Sequence, residues 1–354
     1  MADREQNPNR RRGLAVRLVV RLLALAVGCL LALTLLEIAL RVLDPLRTGE
    51  TLDRETFLED VLVRHPNGDI TMTPSGDDPS DWAELFGQSI RIRENGFRDD
   101  PLEVPKPEGR YRILVIGDSV AFGWGVAEES AFPQVLEREL NAANWPDAAT
   151  EVEVFCASAP GWGLPHYLQF AQREAQRLQP DAVVVTLIDN DLTDILEANG
   201  VIPPASGAGR PPVASLVRDL FVTRAAHRLW VTVTDVDENP GFGALIEQSD
   251  AEDFLVAAGL EATQTGTSVD MVLDALTGVR ELCRPARFAI ADTLGTVDGK
   301  RVIRLVEGLS SRGIDHIECY LDVKEHELSP VDRHPDDGGH QILADKIGAW
   351  IRSR

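Results

Sequence analysis

A serine hydroxyl attacks a carbonyl only when a neighbouring base takes its proton, and an imidazole serves as that base when a carboxylate fixes its tautomer. Ser119, His334 and Asp332 are residues of these three types in settings that suit the work. Ser119 ends the run Gly117-Asp118-Ser119, directly after the β-branched stretch Tyr111–Ile116. That places it at a strand-to-helix junction, where a helix N-terminus favours developing negative charge. A serine at such a junction can equally be a plain helix cap. His334 and Asp332 lie in Asp332-Arg333-His334-Pro335-Asp336-Asp337-Gly338-Gly339-His340, just before the last helical segment, so one loop supplies base and orienting acid. His65, His166, His227, His316 and His326 fall outside this loop and read as surface or core residues. Two further blocks could hold an oxyanion. Gly161, in Cys156–Gly163, lets a backbone N–H approach a ligand closely. Asn190, in Asp189-Asn190-Asp191, can donate from its side-chain amide, although Asn after a strand is also a common cap.

These blocks need a scaffold that brings residues 119, 161, 190 and 332–334 to one edge. From Tyr111 onward strand and helix alternate. Strands are expected at Tyr111–Ile116, Val152–Cys156, Ala182–Ile188, Phe288–Asp292 and His316–Leu321. Helices are expected at Ala131–Asn141, Leu168–Leu178, Val269–Leu282, Gly299–Arg312 and Gln341–Arg352. Such alternation predicts a three-layer α/β/α domain over 106–354, its parallel sheet covered on both faces. Ligands then bind outside the carboxyl ends of the strands, where the chemically interesting blocks fall. The alternation lapses over about 195–268. Val213–Thr234 reads as an amphipathic helix and Asp235–Asp250 as acidic loop, together an inserted cap, a substrate lid or a dimer surface. Residues 44–105 read as a stalk and lead-in, with His65–Trp82 as loop because it is rich in Asp, Gly, Pro and Ser.

In order, Gly117-Asp118-Ser119, Gly161, Asn190-Asp191 and Asp332/His334 resemble the blocks of the SGNH (GDSL-type) hydrolase superfamily. Glu94-Asn95-Gly96-Phe97-Arg98 and Gly123-Trp124-Gly125-Val126 look like the flanks of its membrane-anchored bacterial members. The resemblance covers roughly residues 90–350. It implies a flavodoxin-like sheet, Ser119, His334 and Asp332 as catalytic residues, and the Ser119 N–H, Gly161 N–H and Asn190 amide as oxyanion donors. It implies neither metal nor organic cofactor. The chain departs from the family pattern at three points. Ile188 replaces a glycine in the third block, Cys156 stands where the second often begins with Asn, and Asp332 precedes His334 by two residues rather than three. The parse Asp337…His340 keeps the commoner spacing, but the His-Pro-Asp-x-x-Gly-His run makes His334 the base and His340 structural.

Charge divides the chain in two. Residues 1–47 hold eight Arg and four acids, a charge of +4. The remaining 307 residues hold 27 basic and 53 acidic groups, which is −26. A body so acidic repels polyanions and argues against a nucleic-acid partner. Arg10-Arg11-Arg12 precede an apolar stretch, Leu14–Leu43, whose charge-free core runs from Leu22 to Leu36. With flanking charges snorkelling, its span reaches about 25 residues, enough for a transmembrane anchor at 14–43. No small-x-small site follows it, so cleavage as a signal peptide is not evident. The Arg cluster predicts residues 1–13 in the cytoplasm and the domain outside, in the periplasm. Cys283 and Cys319 lie near two late strands and could pair in an oxidising compartment. Arg98 reads as a salt bridge tying lead-in to body, with contact to a substrate anion as the other reading. Trp124 and Trp162 are left between a sugar platform and packing.

The expected activity is O-acyl ester hydrolysis on a small-molecule ester or acylated glycan. Two other readings stay open: acyl transfer to or from an extracytoplasmic polysaccharide, and a non-catalytic anchored binding module. The oligomeric state is not legible.

Overall fold

The apolar stretch folds as expected into one long helix, α1 (Pro8–Leu43). Residues Arg17–Leu43 are long and apolar enough to cross a membrane, and none of that span is buried inside the protein. Near its end the Glu37 carboxylate and Arg41 guanidinium meet at 2.8 Å, one turn apart. The structure is a computed structural model that describes residues 8–43, 48–66, 68–147, 150–188, 191, 262–293, 300–321, 323–329 and 332–353. The expectations for Asp189, Asn190 and most of the inserted cap lie outside those residues. The chain divides into two compact units, and the one made of Leu52–Ser206 and Asn239–Arg354 contains the sheet.

The stretch read as stalk and loop is structured. Helix α2 (Thr48–Val61) leads into two antiparallel hairpins, β1 (Leu62–Arg64) with β2 (Ile70–Met72) and β3 (Ala83–Leu85) with β4 (Gln88–Ile90). Phe57, Val61, Ile70, Met72, Leu85, Ile90 and Ile92 are buried and join the apolar core on one face of the sheet. Strands of three residues are too short for a period-two pattern to stand out from the surrounding Asp, Gly and Pro.

The central strands are Val-, Ile- and Leu-rich runs with little polar alternation, as burial on both faces demands. In chain order come β5 (Arg110–Gly117), the single turn α3 (Ser119–Phe122), α4 (Phe132–Ala142), β6 (Glu151–Ser158), α5 (Leu164–Leu178) and β7 (Ala182–Leu187). Then follow α6 (Ala262–Leu282), β8 (Arg287–Asp292), α7 (Lys300–Ser311), β9 (Asp315–Glu318), α8 (Val323–His326), the hairpin β10 (Glu327–Ser329) with β11 (Asp332–Pro335), and α9 (Asp337–Arg352). Five strands form one parallel sheet in the order β6-β5-β7-β8-β9. This is the flavodoxin-like order, whose switch point lies beside β5. Successive residues of β5 face opposite ways. Leu114 and Ile116 pack with α5, α6 and α7, whereas Ile113 and Val115 pack with α4 and α9. The result is the expected α/β/α sandwich. Each fully buried Leu, Val or Ile contributes about 1.5–3 kcal/mol.

Strand β9 ends at Glu318 rather than Leu321, β6 runs on to Ser158, and three helices start well before the expected residue. Helix α5 starts at Leu164 rather than Leu168, because the Gly163 N–H donates to His166 Nδ1 at 3.1 Å and closes the first turn. Helix α9 starts at Asp337 rather than Gln341. The two glycines there read as loop, but Asp336 Oδ1 accepts from the Gly339 N–H at 2.8 Å and caps the turn. Helix α6 starts at Ala262, so residues 262–268, assigned to the inserted cap, are part of a helix that packs on the sheet.

Candidate active site

Strand β5 delivers Ser119 to the carboxyl edge of the sheet. Its last residue has to be glycine, since a Cβ on Gly117 would run into the Thr186 hydroxyl and the Ala121 methyl. Asp118 caps the one-turn α3, with Oδ1 accepting from the Val120 N–H at 3.1 Å. So short a helix has little macrodipole; what it supplies at Ser119 is local N–H groups, not the full-helix field expected there. Ser119 and Asp118 are both buried. Burial pushes the Asp118 carboxyl up to about 6, against the opposing pull of His334 and of hydrogen bonds from Val120 and Ser119.

The hairpin of β10 and β11 brings in the other two groups. In a strand, residues two apart face the same side. Asp332 and His334 are such a pair on β11, so the two-residue spacing aims both side chains at one place. His334 Nδ1 lies 2.6 Å from Asp332 Oδ1, and the His334 backbone N–H donates to the same oxygen at 3.1 Å. His334 Nε2 lies 2.8 Å from Ser119 Oγ. With the Nδ1 proton donated to Asp332, Nε2 is free to accept from the serine hydroxyl. Ser119 Oγ also lies 3.1 Å from Asp118 Oδ2, so two acceptors compete for one proton and the shorter contact is to His334. For Asp332, burial alone would raise the carboxyl. The hydrogen bonds and charge of His334 and the bond from Trp124 outweigh it and hold the group below the ordinary carboxylate range.

Sequence reasoning missed what Trp124 and Arg98 do. Trp124 is buried, donates from Nε1 to Asp332 Oδ2 at 3.0 Å, and stacks on the His334 ring at 5.2 Å between centroids. Trp162 is likewise packed, its Nε1 donating to the Ile70 carbonyl at 2.8 Å. Neither indole offers an exposed sugar platform. Among the described residues Arg98 forms no salt bridge. It is buried and donates to the carbonyls of Phe122, Gly123 and Val126 at 3.1, 2.7 and 2.8 Å, which fixes the loop after α3. Burial pulls its guanidinium down to about 10. His340 bonds elsewhere: fully buried, it accepts at Nδ1 from the Phe132 N–H at 3.2 Å, and burial pulls it down to about 3.

Strands β6 and β7 flank β5 on either side of the Ser119 junction. Gly117 pairs with Ser158 of β6, so the loop from Ala159 to Gly163 emerges beside Asp118 and Ser119. Gly161 adopts φ +80°, a conformation costly to other residues, and it is exposed. On the other side, β7 pairs with β5, and just past its end the Ile188 N–H donates to Asp191 Oδ2 at 2.9 Å. Asn190 itself lies outside the described residues. The first hairpin, clamped to the 159–163 loop and the first turn of α5 by the Trp162–Ile70 bond and a 3.0 Å contact between His166 Nε2 and the Gly68 carbonyl, sets the Arg64 guanidinium beside Gly161.

Among the described residues, no group of three or more His, Cys, Asp or Glu side chains could hold a metal ion. Cys283 and Cys319 are free thiols rather than a disulfide. They belong to the cores on opposite faces of the sheet, and burial pushes both up to about 12.

No family model matches the chain, nor does any curated protein. Solved structures do. The acetyl xylan esterase AlAXEase is 13% identical with a TM-score of 0.39, covering 69% of this chain and 100% of its own. A lipase/acylhydrolase from Enterococcus faecalis is 15% identical with a TM-score of 0.35, covering 68% of this chain and 95% of its own. A family two carbohydrate esterase from Clostridium thermocellum, in complex with cellohexaose, is 15% identical with a TM-score of 0.37, covering 71% and 66%. Similarity this distant carries no argument of its own, and both fold and chemistry have to be read from the chain's own residues.

Proposed function

We propose that the chain is a membrane-anchored serine esterase of the SGNH type that cleaves O-acyl esters outside the cytoplasm. The observation that carries this reading is the continuous relay from Ser119 Oγ to His334 Nε2 and from His334 Nδ1 to Asp332 Oδ1, with contacts of 2.8 and 2.6 Å. Ser119 Oγ attacks the acyl carbon while His334 Nε2 takes its proton. Asp332 stabilises the imidazolium, which then protonates the departing alkoxide. A water molecule, deprotonated by the same nitrogen, releases the acid and restores Ser119. The oxyanion is held by the Ser119 N–H, the Gly161 N–H and the Asn190 amide, each contributing about 3–4 kcal/mol to lowering the barrier. Residues 14–43 anchor the enzyme, and Arg10, Arg11 and Arg12 keep the N-terminus cytoplasmic. The acidity of the body favours neutral acyl groups, on a small alcohol or a glycan, over anionic ones.

The test is turnover of a short-chain aryl ester by the full chain in detergent. Ser119→Ala and His334→Ala should reduce turnover to background while the melting profile is kept. An active Ser119→Ala protein would remove the nucleophile assignment. An active His334→Ala alongside an inactive, folded His340→Ala would move the base to His340.

A further inference from the structure

We propose that Trp124 is a positioning residue that aims the Asp332–His334 pair at Ser119; the proposal rests on the esterase reading of the site. The β10–β11 hairpin that carries the pair has strands of only three and four residues. The i, i+2 spacing sets which way Asp332 and His334 point but not the plane of the carboxylate. Asp332 Oδ1 takes both bonds from His334, and Oδ2 is held by the Trp124 indole N–H at 3.0 Å. These three bonds define the carboxylate plane, and with it the line along which the imidazole faces Ser119. The indole also lies against the imidazole at an interplanar angle of 29°.

Trp124 is itself tightly fixed. Its ring meets Phe57 edge-on at 5.6 Å and Phe86 at 6.3 Å, both from the segment expected as stalk. Its backbone N–H donates to the Ser119 carbonyl at 3.1 Å, and the Arg98 fork grips the carbonyls on either side of it. The short stretch 119–126 therefore carries both the nucleophile and the group that holds the acid–base loop, 208 residues further along the chain.

Trp124→Phe keeps an aromatic ring over His334 and removes the donor. Replacing Trp124 alone by β-(3-benzothienyl)alanine retains the bicyclic ring and lacks only the N–H, so it separates lost positioning from lost packing. Both should lower kcat on a short-chain aryl ester by about 10- to 100-fold, the value of one hydrogen bond to a charged group. KM should stay within about twofold, because the indole is buried rather than presented to solvent. The acid limb of the kcat/KM profile should move to higher pH, since Asp332 with one donor fewer holds the imidazolium proton more firmly. A readout independent of turnover is the low-field proton resonance of His334 Nδ1–H, assigned by its absence in His334→Ala. It should shift in both Trp124 variants. Unchanged kcat, acid limb and resonance in the benzothienyl protein would overturn the proposal. A wild-type protein without esterase activity, whose resonance still moves, would overturn the esterase reading and leave the positioning role standing.

Discussion

Replacing Asp118 by asparagine should stabilise the protein and slow it. Asp118 is 1% exposed, and its carboxyl is raised from 3.8 to about 6. Between those values the folded chain holds a proton that the unfolded chain has released, so stability falls as pH rises through this window and stays reduced above it. A shift of about 2 pH units corresponds to about 3 kcal/mol. The Asp118→Asn substitution removes that cost while the new amide oxygen still accepts from the Val120 N–H, so the cap survives. The amide N–H now donates to Ser119 Oγ and ends the competition for the serine proton. The Asp118 charge also favours the imidazolium of His334, so kcat should fall as stability rises. Thermal unfolding of the full chain in detergent at pH 8 should show a Tm gain of about 6 °C, taking about 2 °C per kcal/mol for a chain of this size. At pH 4 the gain should nearly vanish, because there Asp118 is protonated in the folded state. An Asp118→Asn protein less stable than wild type at pH 8, or a gain of equal size at both pH values, would refute the reasoning.

Further outcomes are open to measurement. Asp332→Asn should reduce kcat by about 10³- to 10⁴-fold by losing the tautomer of His334, with folding measured by circular dichroism little changed. Arg98→Met leaves three carbonyls without their donor and should cost about 3 kcal/mol or more in urea unfolding. Gly161→Ala meets no atom closer than 3.6 Å, so its penalty is conformational, about 1–2 kcal/mol at φ +80°. Its kcat should fall more than its stability suggests if that N–H binds the oxyanion. Arg64→Glu places a negative charge beside the same loop and should lower kcat/KM on a neutral ester, with the loss shrinking at high salt.

The sheet was legible because a parallel strand buried on both faces must be a largely apolar run: 182–188 is one, and 111–116 and 152–156 are each broken by one charged residue, Arg112 and Glu153, which pair with each other. The meeting of Ser119, Asp332 and His334 was legible because these residues sit where strand and helix change over. Trp124 was not: its indole donates to a residue 208 positions away, and neither spacing nor composition records that contact. Arg98 misled because a charged residue suggests a charged partner, whereas the partners are main-chain carbonyls. Residues 48–105 were hidden by their polar composition, although Phe57, Ile70 and Leu85 turn inward.

The central claim is that Ser119 is activated by His334. Covalent labelling by a monoalkyl phosphonate tests it most directly, read by the mass of the full chain and the position of the modified peptide. The account predicts one adduct, on Ser119, formed at a rate that His334→Ala lowers to background and His340→Ala does not. An unlabelled Ser119 in folded protein, or a labelling rate indifferent to His334, would contradict it.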